Sequence, residues 1–189
     1  MSDPARRRMT SDEFIAWAME QPETSHYELV AGEVVAMSPE RSAHALTKAR
    51  FWRRMTEAVE VGNLPCQVYP DGMAVEIDEH TVYEPYALVR CGAPLPPDAI
   101  KLHDPVIIVE VLSPSTRARD AGAKLEDYFR LPSLHHYLIV KTENRTIIHH
   151  ARNADGTILT SIVRDGPISL EPPGITLTDC FPPESAATS

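Results

Sequence analysis

No apolar run in this sequence approaches the length that a membrane helix requires, and no apolar h-region follows the opening MSDPARRRMT. A membrane helix and a secretory signal are therefore not expected, and the cytoplasm is the expected location. Cysteine is scarce. Cys66, Cys91 and Cys180 lie far apart and form no CxxC, which excludes a cysteine zinc site of the usual spacing and suggests no disulfide framework. All three are expected to be reduced thiols. Positive charge is also in deficit. The 18 Lys and Arg against 27 Asp and Glu leave a net charge of −9, which argues against coating nucleic acid by bulk electrostatics but leaves room for a local basic patch. Walker A and GxGxxG motifs are missing, so nucleotide-hydrolase and dinucleotide readings are poor. The SPST stretch (113–116) has no G-x-S-x-G or SxxK setting that would make a serine nucleophile.

What remains is an ordinary globular composition, 43% hydrophobic and 24% charged over 189 residues, which fits one domain with a real core. That domain is expected over 10–182, between a disordered basic lead (1–9) and a polar tail (183–189). Thr10 and Glu13 make a capping-box pattern before the amphipathic stretch 10–21. The segment 26–39 reads as a hairpin with strands at 27–30 and 33–37 about Ala31-Gly32. A long helix is expected over 42–62, with Ala45, Ala49, Trp52, Thr56 and Val59 on its inner face and His44, Lys48, Arg50, Arg53 and Arg54 on the other. Trp52 is accordingly expected in the core. Strands are expected at 66–69, 73–77, 84–91, 105–112, 135–141 and 145–153, with a helix over 117–131 and the last strands or turns in 156–179. The whole is expected to be a single α/β or α+β domain.

Within that outline Glu110 is the anomaly. It closes the apolar run VIIV (106–109), and a carboxylate at the end of a buried strand costs stability unless something satisfies it. Either the fold supplies a partner or the group awaits a metal. Asp120 and Lys124 follow at a spacing of four, so on a helix they share a face and could both face Glu110. The plainer reading is a surface ion pair. His135-His136 and His149-His150 cannot chelate as adjacent pairs, because neighbours on a strand point to opposite faces. His136 could still meet His149 or His150 across strands.

The segments YELVAGEVVAMSP (27–39), EPYALV (84–89), PVIIVEVLSPSTRARDAGAKLEDYFRL (105–131) and HHYLIV (135–140), taken in order, resemble the Uma-type restriction endonuclease family of the PD-(D/E)XK nuclease superfamily. The resemblance implies a restriction-endonuclease-like, mixed and curved sheet flanked by helices. It also implies hydrolysis of DNA phosphodiesters with Mg²⁺ or Mn²⁺. By position, Glu110 matches the acidic metal ligand, Val111 the residue whose carbonyl faces the metal, and Lys124 the catalytic lysine. Asp120 matches an acid one turn before that lysine, and Glu28 an acid that joins the site from the first hairpin.

One departure bears on activity. Where the family pattern reads Pro-Asp, this chain reads Pro85-Tyr86, and a phenol is a poor substitute for a metal-binding carboxylate. Glu84, two residues earlier, is the candidate replacement. The literal Pro70-Asp71 lies one element too early and reads as a turn. Three readings follow: a metal-dependent DNA endonuclease, a degenerate relative lacking the metal that binds DNA or a protein partner, and a structural partner protein. A homodimer would suit cleavage of both strands.

Overall fold

The computed structural model describes residues 7–22, 24–37, 40–112, 119–164 and 166–183, leaving aside the side chains of 119–121. Helix α1 (Ser11–Ala18) carries the expected capping box, with Glu13 N–H on Thr10 Oγ1 at 3.3 Å and Thr10 N–H on Glu13 Oε2 at 3.0 Å. Strands β1 (Tyr27–Val30) and β2 (Glu33–Ala36) form the hairpin. Gly32 at its turn has φ +84°, and a Cβ there would lie 2.5 Å from Arg8 Cβ. Residues ahead of α1 already join the fold, since Met9 N–H bonds Gly32 O at 3.1 Å. Residues 1–6 and 184–189, expected to be disordered, lie outside the described residues.

Helix α2 (Ser42–Val61) is followed by β3 (Cys66–Pro70), β4 (Ala74–Asp78), β5 (Thr81–Tyr83), β6 (Ala87–Cys91) and the short β7 (Lys101–Leu102). The central strand β8 (Ile107–Leu112) leads through α3 (Arg119–Tyr128) to β9 (His136–Lys141). Then come β10 (Thr146–Arg152), β11 (Ile158–Val163), β12 (Ile168–Leu170) and β13 (Ile175–Leu177). Six strands make a mixed sheet in the order β11-β10-β9-β8-β6-β3, in which only the β8–β9 neighbours run parallel. Five others form a second sheet, β2-β1-β5-β4-β7, and β12-β13 pair separately. This is the single α/β domain expected, with β8 in the middle of the main sheet.

Both faces of β8 are covered, which explains why its sequence is continuously apolar rather than alternating. On one face Ile107, Val109 and Val111 pack with Phe51, Met55 and Val59 of α2 and with β12-β13. On the other, Ile108 packs with Tyr83, Tyr128, Tyr137 and Leu134. Each large side chain so buried stabilises the fold by roughly 1.5–3 kcal/mol, so the strand bearing Glu110 is a firm platform. Glu110 takes the same face as Ile108.

Two expectations need correction. The inner face of α2 consists of His44, Thr47, Lys48, Phe51, Met55 and Val59, whereas Ala45 and Ala49 are exposed and Trp52 is 38% exposed. A second stripe with equally good helical spacing won because Phe51 and Met55 have more apolar area to bury than two alanines. Nor are all three cysteines reduced: Cys66 and Cys91 form a disulfide, with Cα atoms 3.9 Å apart, and only Cys180 is free. Their sequence separation of 25 conceals that β3 and β6 pair in the register Cys66↔Cys91.

A buried acid–lysine–acid cluster beneath Tyr86

Glu110 is 3% exposed, and the fold brings three groups to it. Lys124 Nζ donates to Glu110 Oε1 at 2.9 Å and to Glu28 Oε1 at 2.7 Å. Tyr128, one turn beyond Lys124 on the same face of α3, donates its hydroxyl to Glu110 Oε1 at 2.9 Å. Glu28 arrives from β1 and also accepts the backbone N–H of Glu84 at 3.2 Å. Thus the central strand, the first hairpin and the crossover helix each contribute a side chain to one buried cluster.

The charges in that cluster do not balance. Two carboxylates face one ammonium in a region almost without water, where interactions between charges are strong. Burial, together with the charge of Glu110, pushes the Glu28 carboxyl up to about 7 against the pull of Lys124. Burial alone would make Lys124 easier to deprotonate, but Glu110 and Glu28 outweigh it and hold the ammonium well above its ordinary range. Burial and then the charge of Glu110 raise the Tyr128 hydroxyl, which stays a neutral donor.

Tyr86 lies beside the central strand, its own N–H bonding Val109 O at 3.1 Å. Burial and then the charge of Glu110 raise its hydroxyl, so it is neutral at physiological pH. The His44 ring meets the Tyr86 ring edge-on at 5.1 Å, and Lys48 Nζ sits 4.2 Å from its centroid. His44 also donates from Nε2 to the carbonyl of Val111. Lys48 bonds both Glu40 and Asp71. A cavity of about 490 Å³ opens here, lined by His26, Glu40, Lys48, Asp71, Glu84 and Tyr86 among others. Glu28, Glu110 and Lys124 are not among its lining residues.

The sequence-derived candidates divide accordingly. Glu110, Lys124 and Glu28 come together. Val111 presents its carbonyl, already bonded to His44. Glu84 does not turn toward Glu110, because its carboxylate bonds His26 Nδ1 at 2.6 Å. Asp120 lies outside the described side chains. On the basic face expected on α2, Arg53 and Arg54 share Glu57 at 2.7 and 2.8 Å, and Arg50 donates to the carbonyl of Asp179 at 2.5 Å. His136 and His149 do meet, Nδ1 to Nε2 at 2.9 Å, well buried.

Glu40 escaped the sequence reading, and His44, Lys48 and Asp71 have other roles there. The spacing of His44 and Lys48 with Phe51, Met55 and Val59 was the available signal for two of them. Asp71 follows Pro70, which pairs with Ala87, so it lies across from Tyr86; only the strand register reveals that.

Glu28 and Glu110 suit a hard divalent cation, because Mg²⁺ needs only one or two protein carboxylates when water and a substrate phosphate complete its shell. The unbalanced negative charge points the same way. Among the described residues, no three His, Cys, Asp or Glu side chains converge on one metal position.

A mixed sheet whose two parallel strands, β8 and β9, are joined by α3 is a restriction-endonuclease-like fold. The protein is similar in structure to a nuclease of the DUF820 group from Anabaena variabilis ATCC 29413, described as putative in its report. The TM-score is 0.68 and the identity 14%, over 87% of this chain and 90% of that one. The chain belongs to the Uma2 family, described as "Putative restriction endonuclease", whose model matches residues 11–182. It is also 27% identical over 150 residues to the uncharacterized protein slr1290 of Synechocystis sp. (strain ATCC 27184 / PCC 6803 / Kazusa), covering 79% of this chain and 77% of that one. Among the described residues, no helix is long and apolar enough to cross a membrane.

Proposed function

We propose that this protein is a divalent-metal-assisted DNA endonuclease that hydrolyses phosphodiester bonds with a reduced set of metal ligands. The supporting observation is the buried Glu28–Lys124–Glu110 cluster. Structure alone gives no reason to bury two carboxylates against one ammonium, since a well-packed apolar set would serve stability as well or better. A Mg²⁺ or Mn²⁺ ion held by Glu110 and Glu28 would supply Lewis acidity at the scissile phosphate.

The residues of the chain have separable roles in this reading. Lys124 stays protonated, so it acts as a donor that stabilises charge building on a phosphoryl oxygen, not as a base. Glu28 would hold the ion together with Glu110 and is ionised when the ion is bound, so the proton of the attacking water goes to solvent. Water adds to phosphorus and gives up a proton to solvent, the bond to the leaving oxygen breaks, and the leaving alkoxide is protonated from solvent. Glu110 anchors Lys124 and is itself held by Tyr128.

A second reading rests on Tyr86. A neutral phenol stands where the family pattern has a carboxylate, and His44 already occupies the Val111 carbonyl, an arrangement that suits a disarmed nuclease fold retained for binding DNA or a protein.

Cleavage of plasmid and oligonucleotide DNA with Mg²⁺ and with Mn²⁺ separates these readings. Wild type is expected to cut, Glu110→Ala to lose at least ~100-fold in rate, and Tyr86→Asp to cut faster than wild type. Cutting by Tyr86→Asp alone would establish the disarmed reading. Silence from all three would remove hydrolysis of DNA from consideration.

A further inference from the structure

The two edges of the six-stranded sheet are treated very differently. Edge strands expose unpaired N–H and C=O groups, and proteins ordinarily blunt them with charge, proline, bulges or covering elements. The β3 edge follows that rule. It ends at Pro70, packs against α2, and has its Val68 carbonyl bonded by Trp52 Nε1 at 3.3 Å.

The β11 edge does not follow it. The strand Ile158–Val163 reads ILTSIV, with no charge and no proline, and it pairs with β10 without a bulge. Leu159 is 59% exposed and Ile162 67% exposed. We propose that this edge pairs antiparallel with the same edge of a second copy of the chain, giving a twofold dimer with Thr160 on the dyad.

Symmetry and sequence fix the register. A twofold axis joining two sheet edges stands perpendicular to the sheet and preserves its faces, so paired residues must share a face. Near the middle of β11 this leaves two choices, Thr160 opposite itself or Ser161 opposite itself. With Thr160 on the axis, Ile158 meets Ile162 of the second copy, twice, around a central Thr–Thr pair, and such like-with-like pairs are favourable. With Ser161 on the axis, Leu159 would meet Val163, but Ile162 would meet Thr160 and Ile158 would meet Arg164.

The ends agree with the first register. It sets exposed Arg164 opposite Gly156 of the second copy, beside the turn that carries Asp155 there, and the symmetry repeats this contact. Thr160 is held in its rotamer by His150, whose Nδ1 lies 2.8 Å from Thr160 Oγ1. The pairing would join two six-stranded sheets into one continuous sheet across the dimer.

Light scattering on a size-exclusion column at tens of micromolar tests the proposal. Wild type is expected at twice the chain mass. Ile162→Lys, a change on an exposed edge that leaves the fold intact by circular dichroism, is expected at the monomer mass. The register has its own readout. Oxidised Thr160→Cys should run as a covalent dimer on a non-reducing gel and Ser161→Cys should not; the one free native thiol, Cys180, is buried and does not compete. A monomeric wild type overturns the proposal, as does a dimer untouched by Ile162→Lys or one cross-linked through Ser161→Cys instead.

Discussion

Two lysines of this protein are each clamped between two carboxylates beside a tyrosine ring, yet only one of them makes a cluster under electrostatic pressure. Lys124 lies between Glu28 and Glu110, 4.9 Å from the Tyr83 ring centroid, and Lys48 lies between Glu40 and Asp71, 4.2 Å from that of Tyr86. Both lysine side chains are 9% exposed. The acids differ: 7% and 4% for Glu28 and Glu110, against 31% and 43% for Glu40 and Asp71. Around Lys48 water screens the surplus carboxylate. Around Lys124 it cannot, so the surplus is met by a proton or by a cation. Composition is therefore no guide to which cluster is chemically poised; the depth of the acids decides it.

Removing each lysine is the most direct way to break this comparison, and the inner one should give the largest effect. Lys124→Met leaves Glu28 and Glu110 facing each other without a cation, and breaking a buried ion pair from one side costs roughly 3–5 kcal/mol. Urea denaturation at pH 7.5 should show that loss, and cleavage by the variant should be abolished. A loss near zero would mean that the two carboxylates are not held together as the geometry indicates.

The next effect is on pH dependence. The Glu28 carboxyl titrates near 7 in the folded chain against an ordinary value of 4.5. Between those values the folded state holds a proton that the unfolded state has released, so this group lowers stability as pH rises through the window. Its penalty is absent below pH 4.5 and complete above about 7, where it reaches up to about 3 kcal/mol. Burial, reinforced by His149, lowers His136 to about 4 and produces the opposite slope below pH 6.5. That slope is common to wild type and Glu28→Gln, so their difference isolates Glu28. Glu28→Gln should match wild type at pH 4 and exceed it at pH 8; parallel stability curves would contradict the charge imbalance.

Much of the inner cluster was legible in the sequence because its signals are local. Glu110 interrupts a buried run, and Lys124 lies at a readable distance along a helix. Glu28 became visible only through the family resemblance, since no spacing connects residue 28 to residue 110. The outer cluster was illegible for a different reason. Lys48 belongs to a helix with two plausible inner faces, and the choice between them depends on what α2 packs against. Asp71 was read as a turn residue, which it is; its position across from Tyr86 depends on the pairing of β3 with β6. The same pairing hid the Cys66–Cys91 disulfide. Periodicity reports which residues a strand or helix buries, whereas register across strands is a tertiary property.

The smallest effect belongs to the outer lysine, and it sharpens the comparison. Lys48→Met retains the aliphatic stem against Tyr86 and leaves two acids that water can reach. Ion pairs with exposed partners contribute about 0–1 kcal/mol, and the contact of the ammonium with the Tyr86 ring adds about 0.5–1 kcal/mol. The expected loss is therefore ~0.5–2 kcal/mol, below that of Lys124→Met in the same urea experiment. An equal loss from both variants would show that the exposure of the acids is not what separates the clusters, and that Lys48 must be bound as tightly into the fold as Lys124.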